Sequence, residues 1–155
     1  MVAQLTYNAQ PAVAIPGMIA EMFSLRQIDS WLAGGEIPFG FPVSISSTDP
    51  DQVVVATSPS DTFVGISVFA HQLNVHDILT GECHYQLTDQ VPVMSKGRVW
   101  VLSAGAVEFG EDAFALPDGS GQFSNANVGG LNINLYAKFR GTTTGAGQLV
   151  MIELQ

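Results

Sequence analysis

The side chains best suited to metal binding or nucleophilic catalysis are few in this chain of 155 residues. They are three histidines, His71, His76 and His84, and one cysteine, Cys83. A metal site would need at least two of them to converge with a carboxylate such as Asp77, and their spacing matches no zinc or iron motif. Cys83 and His84 are adjacent, so in a strand they would point to opposite faces and could not act as nucleophile and base. We therefore interpret all four as ordinary loop and surface residues and expect no metal.

Motifs that identify common enzyme classes are also missing from the sequence. It contains no G-x-S-x-G, H-E-x-x-H, phosphate loop or dinucleotide fingerprint, and its G-x-G triplets at 119–121 and 145–147 open no helix after a strand. Fourteen acidic residues would allow a carboxylate pair of the kind that hydrolyses glycosides, but nothing distinguishes one pair from the others. The sequence favours a non-enzymatic protein without a cofactor over a hydrolase.

Positive charge and aromatic rings are concentrated in two segments, VPVMSKGRVWVLS at 91–103 and LNINLYAKFRG at 131–141. Period-two alternation gives each segment one face with two cations and an aromatic ring, opposite a face of apolar residues. The same alternation places Met94 beside the cations, although Gly97 could introduce a bulge. If the two strands are near neighbours, these side chains form one candidate interface, which we call the cation–aromatic face: Lys96, Arg98, Trp100, Tyr136, Lys138 and Arg140.

This face has two interpretations. Lysine and arginine stems often cover an aromatic ring at a wet surface, which is worth about 0.5–1 kcal/mol through cation–π contact. Alternatively, tryptophan, tyrosine and arginine are typical hot-spot residues of protein interfaces. Four of only five basic residues lie here, in a chain with a net charge of −9. That concentration favours an interface with an acidic partner surface.

The elements that must position these residues are predicted to be strands. Short runs rich in β-branched and aromatic residues follow one another from Glu36 to the last residue, separated by turn clusters such as SSTDPD and SPSD. The runs number eight or nine, and the spaces between them leave no room for crossover helices. We therefore predict an all-β domain over residues 36–155, a jelly-roll-like sandwich or barrel.

Residues 1–35 are predicted to form an N-terminal extended arm. Pro11 and Pro16 keep its first part extended. Apolar residues from Met18 to Leu32 recur at spacings of three and four, which is compatible with one short helix ended by glycines or with a continuing arm. The candidate arm anchors are apolar residues of a segment without charge: Leu5, Tyr7, Val13 and Ile15.

Composition limits the partners and the compartment. Phosphate would repel an acidic chain at long range, so nucleic acid is not an expected partner. No apolar run reaches the length needed to span a bilayer, and the first residues lack the pattern of a secretory signal. A single cysteine excludes a disulfide within the chain and favours a reducing compartment. We expect synthesis in a cytoplasm and no membrane partner.

The order of the β-runs resembles that of the structural cement proteins, the decoration proteins of tailed bacteriophage heads. The matching pieces are a G-x-x-V strand at 40–43, F-x-G-I at 63–66, the valine-rich strand ending in V-W-V at 91–101, and the terminus GQLVMIEL at 147–154, in which Gly147 is followed by Leu149 and Leu154. Each piece alone is common, whereas their order and the total length are typical of the family.

This resemblance implies a non-enzymatic virion protein. It would lie on the outer capsid surface, bind the major capsid protein, cement neighbouring subunits, and form a dimer or trimer there. The protein would be made in the cytoplasm of the bacterial host. The alternative function is a jelly-roll module that binds carbohydrate or attaches to the host, displaying exposed aromatic rings.

Overall fold

The long valine-rich run of the sequence forms one strand of 14 residues, and the other strands are arranged around it. The computed structural model describes residues 14–20, 26–69, 84–128 and 132–155. Its strands before the long one are β1 (Gln27–Ala33), β2 (Ile37–Pro38), β3 (Pro42–Ile45), β4 (Gln52–Val55), β5 (Phe63–Ser67) and β6 (His84–Tyr85). The long strand and those after it are β7 (Gln90–Ser103), β8 (Asp112–Ala115), β9 (Gln122–Ser124), β10 (Ile133–Phe139) and β11 (Leu149–Leu154).

Nine of these strands form a sheet that closes on itself twice. Its order is β1-β4-β3-β5-β7-β11-β10-β8-β9, and additional pairings join β1 to β7 and β7 to β9. The first five strands therefore close into an N-terminal barrel and the last five into a C-terminal barrel, with β7 in both. Closure pairs the edges that an open sheet would expose. The remaining strands, β2 and β6, pair with each other.

The strand β7 changes barrels near its middle. Its first half pairs with β1 and β5, and residues 97–102 pair with β11. The pairing with β1 shifts from Gln27 opposite Lys96 to Ile28 opposite Met94, so Ser95 is an extra residue on β7. Next to this bulge, Gly97 has a φ of +126°. The extra residue turns Met94 into the core, where it is fully buried, so its predicted place beside the cations is wrong.

Each barrel has its own hydrophobic core. The first half of β7 supplies Val91 and Val93 to the N-terminal core, and the second half supplies Val99 and Val101 to the C-terminal core. Around them, the N-terminal core includes Ile37, Phe39, Val43, Val53 and Tyr85. The larger C-terminal core includes Phe123, Ile133, Leu135, Phe139, Val150, Ile152 and Leu154. Because one strand serves both cores, a change in its backbone affects both barrels.

The first described part of the chain, residues 17–20 and the strand β1, runs along β7 rather than away from it. Strand β1 pairs antiparallel with residues 90–96 of β7, and residues 17–20 follow residues 98–100 of the same strand. The backbone N–H groups of Gly17 and Ala20 donate to the carbonyls of Trp100 and Arg98, at 2.7 and 3.0 Å. The range predicted as an arm, 1–35, thus includes a strand of the main sheet.

Of the two alternatives for Met18 to Leu32, a short helix or a continuing arm, the helix is not found in the residues that the structure describes. Ile28 and Leu32, its last two apolar positions, lie in β1, which binds β7 on one side and β4 on the other. Spacings of three and four favour a helix only locally, whereas pairing with β7 along most of β1, and with β4 at Leu32 and Ala33, provides partners for the backbone groups of this segment. The predicted all-β barrel is confirmed, with eleven strands in the described residues instead of eight or nine. These residues include no helix long and apolar enough to cross a membrane.

Candidate interaction surface

The cation–aromatic face lies on the outside of the C-terminal barrel. Strand β11 lies between β7 and β10, so the two predicted strands are second neighbours rather than direct partners. Arg98 and Trp100 project outward from β7 because the residues that alternate with them are buried in the core. Tyr136 and Lys138 do the same on β10, and Arg140 follows at its end. Lys96 is exposed at the point where β7 enters the C-terminal barrel.

A carboxylate from the intervening strand organises the two arginines. Glu153 of β11 lies opposite Arg98 of β7 and also opposite Lys138 of β10. One oxygen, Oε2, accepts from the Nε of Arg98 at 3.1 Å and from the Nε of Arg140 at 2.5 Å. Partial burial tends to raise the pKa of Glu153, but the hydrogen bonds and charges of Arg140 and Arg98 outweigh it and lower that pKa. Glu153 is therefore ionised at neutral pH and fixes both guanidinium groups.

A second carboxylate holds the remaining cation of β10. The Nζ of Lys138 lies 2.8 Å from Oδ1 of Asp112 on the neighbouring strand β8. The four cations of the face and these two carboxylates leave a net charge of +2, in a chain whose net charge is −9. The fifth basic residue, Arg26, is exposed, and its backbone lies beside Gly97 of β7. Four of the five basic residues of the chain are therefore gathered on this one face.

Replacing Glu153 with glutamine should destabilise the protein by about 1–2 kcal/mol at neutral pH, because two arginines lose a charged acceptor. The pKa of Glu153 is depressed in the folded state, so its contribution is present above the unfolded pKa and is lost as pH falls through the folded value. The difference between wild type and Glu153→Gln should accordingly start to shrink as pH falls below the unfolded pKa of about 4.3, and it should disappear only below the lower folded pKa. Urea unfolding of both proteins at several pH values measures it. An equal difference at pH 7 and pH 3 would contradict the ion-pair assignment.

Beside the arginines, the face has an apolar groove of about 420 Å³. Trp100 lies opposite Met151, and Leu102 lies opposite Leu149, so their side chains share the outer face. Trp100, Leu149 and Met151 are half-buried and line the groove, which Arg140 and the residues after it border. An apolar floor beside cations is the combination found at protein interfaces, where a desolvated centre is surrounded by a polar rim.

Tyr136 is displayed by an irregularity in β10. The pairing of β10 with β8 shifts between Asn134 and Ala137, which leaves two extra residues, Leu135 and Tyr136, on β10. Tyr136 has a φ of +52°, a left-handed conformation that is unusual for a bulky side chain. The Asn134 side chain stabilises it by accepting the Tyr136 N–H at 3.0 Å. As a result the tyrosine is 76% exposed, although it belongs to a strand of a closed barrel.

The residues considered for metal chemistry are separate from this face. His84 lies in β6, where its Nε2 is 3.9 Å from a carboxylate oxygen of Glu36. His71, His76 and Cys83 lie outside the described residues. Within the described ranges, no three histidine, cysteine or acidic side chains are grouped closely enough to hold a metal ion. Of the candidate arm anchors, Ile15 is 42% exposed, and Leu5, Tyr7 and Val13 also lie outside the described residues.

The two carboxylates of this surface could not have been predicted from the sequence as partners of its cations. Glu153 and Asp112 determine how the cations are held, but each lies far along the chain from its partners. The only sequence signal was the alternation in QLVMIEL, which places Glu153 on the same face as Met151. Which strand would lie beside it depends on the order of strands in the sheet.

Two solved structures with a similar fold come from bacteriophage heads. The capsid of Myoviridae phage XM1 contains a chain that matches with a TM-score of 0.76 and 13% sequence identity, covering 100% of this chain and 98% of that one. The head fiber gp8.5 N base of bacteriophage phi29 matches with a TM-score of 0.51 and 11% identity, covering 84% and 95%. At these identities the likeness establishes the fold.

The family follows from the sequence itself. Residues 3–155 match the family model described as structural cement protein (E217 gp24/Pam3 gp6), so the chain belongs to this family of phage structural proteins. The predicted resemblance is therefore confirmed over nearly the whole chain. No curated protein matches the chain.

Proposed function

We propose that the protein binds the outside of an assembled phage capsid and cements neighbouring major capsid subunits, without catalysing a reaction. Its place would be the outer surface of the virion, after synthesis in the host cytoplasm. The contact surface would be the cation–aromatic face, and the bound form would be a dimer or trimer. Membership of the cement protein family supports the class of function, and the character of this face supports the location of the contact.

The observation that carries the proposal is the concentration of four of the five basic residues on one face that also contains an apolar groove lined by Arg140. Elsewhere the described surface is acidic or neutral, so an acidic protein partner is attracted only at this side. Trp100, Tyr136 and the arginines are the residue types that dominate binding energy at interfaces. Because Glu153 already fixes Arg98 and Arg140, little side-chain entropy is lost when a partner binds there.

The physical effect of such binding is stabilisation by linkage. A protein that binds assembled subunits, but not separated ones, shifts the equilibrium toward the shell that it binds. Many equivalent copies act together, so a moderate affinity at each site is sufficient. An acidic protein also has no tendency to remain on the packaged genome.

The structure does not favour the alternative, a carbohydrate-binding or host-attachment module. Such a module needs a row of exposed aromatic rings. Tyr85 is buried, with its hydroxyl donating to the carbonyl of Val68, and Trp31 and Trp100 are half-buried. Tyr136 is exposed, but the strand β11 separates it from Trp100 and it lies on a bulge of β10, so these rings do not form an exposed row. Tyr7, the remaining candidate, lies outside the described residues.

Reversal of charge and loss of the aromatic ring on this face should weaken capsid binding. We expect the double variant Arg98→Glu, Trp100→Ala to bind heads that lack the protein at least about tenfold more weakly than wild type, in line with interface hot spots. The measurement is a binding titration on purified heads from a phage without the gene, with melting temperature recorded for each protein.

The matched control introduces an equal change of net charge on the N-terminal barrel. Ser47→Glu, Ser60→Glu also lowers the net charge by two, at exposed turns of the N-terminal barrel, and should bind as wild type does. If the double variant folds and still decorates heads fully, the face is a solvated surface and the contact lies elsewhere.

A further inference from the structure

We infer that the groove beside Arg140 receives a capsid-subunit segment in which a large apolar side chain stands next to an aspartate or glutamate. The apolar side chain would pack on Trp100, Leu149 and Met151, and the carboxylate would bind the guanidinium of Arg140. This inference rests on the proposed function and adds the chemistry of the partner.

The shape and lining of the groove set the first requirement. Its volume of about 420 Å³ lies in the range of cavities that hold small ligands or several side-chain groups. Cross-strand pairing of Trp100 with Met151 makes a continuous apolar floor. The backbone of Met18 continues this row on the other side of Trp100, and its side chain is 44% exposed. Filling such a floor with an apolar side chain gains about 25 cal/mol for each Å² removed from water.

The orientation of Arg140 sets the second requirement. Its Nε donates to Glu153, and its guanidinium carbon lies 5.4 Å from the centre of the Phe109 ring. Phe109 is itself 65% exposed, and Arg140 lines the groove. A guanidinium held on two sides presents its planar edge in a fixed direction, which suits bidentate binding of a carboxylate.

The charge distribution favours a carboxylate over other groups and fixes how the protein would approach. The segments that build the N-terminal barrel contain six acidic residues: Asp29, Glu36, Asp49, Asp51, Asp61 and Asp89. The segments of the C-terminal barrel contain five acidic residues as well, but they also carry Arg98, Lys138 and Arg140. An acidic subunit is therefore repelled less at this barrel and is attracted only at the cation–aromatic face, which favours one orientation of approach. The partner's carboxylate would then help to select the correct partner and orientation, and it would also strengthen binding.

Filling the groove tests the first requirement. Thr142 is exposed and borders the groove, so Thr142→Trp should occupy it without changing either core. We expect this variant to bind heads at least about tenfold more weakly. The control Ser47→Trp adds the same side chain to an exposed turn of the N-terminal barrel and should bind as wild type does. Both should melt within a few degrees of wild type.

Cross-linking tests the second requirement. A photoreactive amino acid at position 142, followed by mass spectrometry of irradiated heads, should identify a peptide of the major capsid protein with Asp or Glu within two positions of a large apolar residue. Reversing that acid to arginine should weaken binding, and combining it with Arg140→Glu should restore much of the lost affinity.

The outcomes separate the inference from the function on which it rests. If wild-type protein does not bind the heads, the proposed function fails and the inference fails with it. If wild type binds and Thr142→Trp binds equally well, the cementing function stands and the groove is not its site. A cross-link to a second copy of this chain, or to a capsid peptide without an acid, would equally overturn the stated partner chemistry.

Discussion

Gly65→Ala is expected to destabilise the protein by about 3 kcal/mol or more, near the upper end of the cost of overpacking a core. A Cβ atom at this position of β5 would overlap the backbone carbonyl oxygen of Met94 and lie 2.8 Å from the carbonyl carbon and 2.7 Å from Cγ1 of Val93. Two of these three atoms are backbone atoms of β7, and they cannot move without disturbing the strand that both barrels share. The melting temperature should fall by roughly 10 °C.

The same substitution at Gly35 is the matched control. A Cβ atom there meets nothing within 4 Å, and the residue has no left-handed conformation. Gly35→Ala should leave the melting temperature nearly unchanged or raise it slightly, since alanine reduces the entropy of the unfolded chain. If thermal melts show both variants within about 2 °C of wild type, β5 and β7 do not approach each other as closely as the structure has them.

The strands and their faces could be predicted from the sequence because alternation is a local property. Val99 and Val101 alternate with Arg98 and Trp100, and the structure buries the first pair and leaves the second pair half-exposed. Met94 breaks this rule because a single extra residue, Ser95, inverts the alternation. A bulge depends on the partner strand, so the sequence of one strand does not reveal where the inversion occurs.

The closure of two barrels around one strand could not be predicted in the same way. Pairings such as β7 with β11 join segments about fifty residues apart, and no pattern within either segment specifies its partner. For the same reason the predicted face lacked Glu153, although it holds Arg98 and Arg140. The six residues of the predicted face could be chosen from local alternation. The carboxylates that hold its cations, Glu153 and Asp112, could be identified only from the order of strands in the sheet.

The helix alternative for Met18 to Leu32 shows that sheet pairing can outweigh a local pattern. Ile28 and Leu32 have helical spacing, yet β1 pairs with β7 over most of its length and with β4 at Leu32 and Ala33. These pairings supply backbone hydrogen bonds, whereas an isolated short helix is marginal in water. The family resemblance indicated the β domain, but it did not define where that domain begins along the chain.

Deleting residues 2–20 is expected to have the other large effect on stability. Residues 17–20 pair with the part of β7 that faces away from β11: Gly17 donates to the Trp100 carbonyl, and the Trp100 N–H donates to the carbonyl of Met18 at 2.9 Å. Ile19 packs against the C-terminal core. Without this segment, β7 would expose backbone groups and valines in the middle of the molecule, and we expect a fall of at least about 10 °C in melting temperature.

A shorter deletion separates this structural segment from the candidate arm. Removing only residues 2–16 leaves the hydrogen bonds between residues 17–20 and β7 and should give a soluble domain that still melts cooperatively. We expect it to decorate heads less tightly, because the removed segment is uncharged and contains the candidate anchors Leu5, Tyr7, Val13 and Ile15. Such a segment can order on a neighbouring molecule and meet its entropic cost when it binds.

Melting curves and head-binding titrations of the two truncated proteins decide between an interaction arm and a structural strand. Loss of binding without loss of stability in the shorter deletion would assign residues 2–16 to contact with a neighbour. Ala14 is buried and Pro16 lies against Gly40, so a fall of a few degrees is expected even then. If the shorter deletion melts as low as the longer one, residues 2–16 close their own domain, and the interaction-arm prediction is wrong.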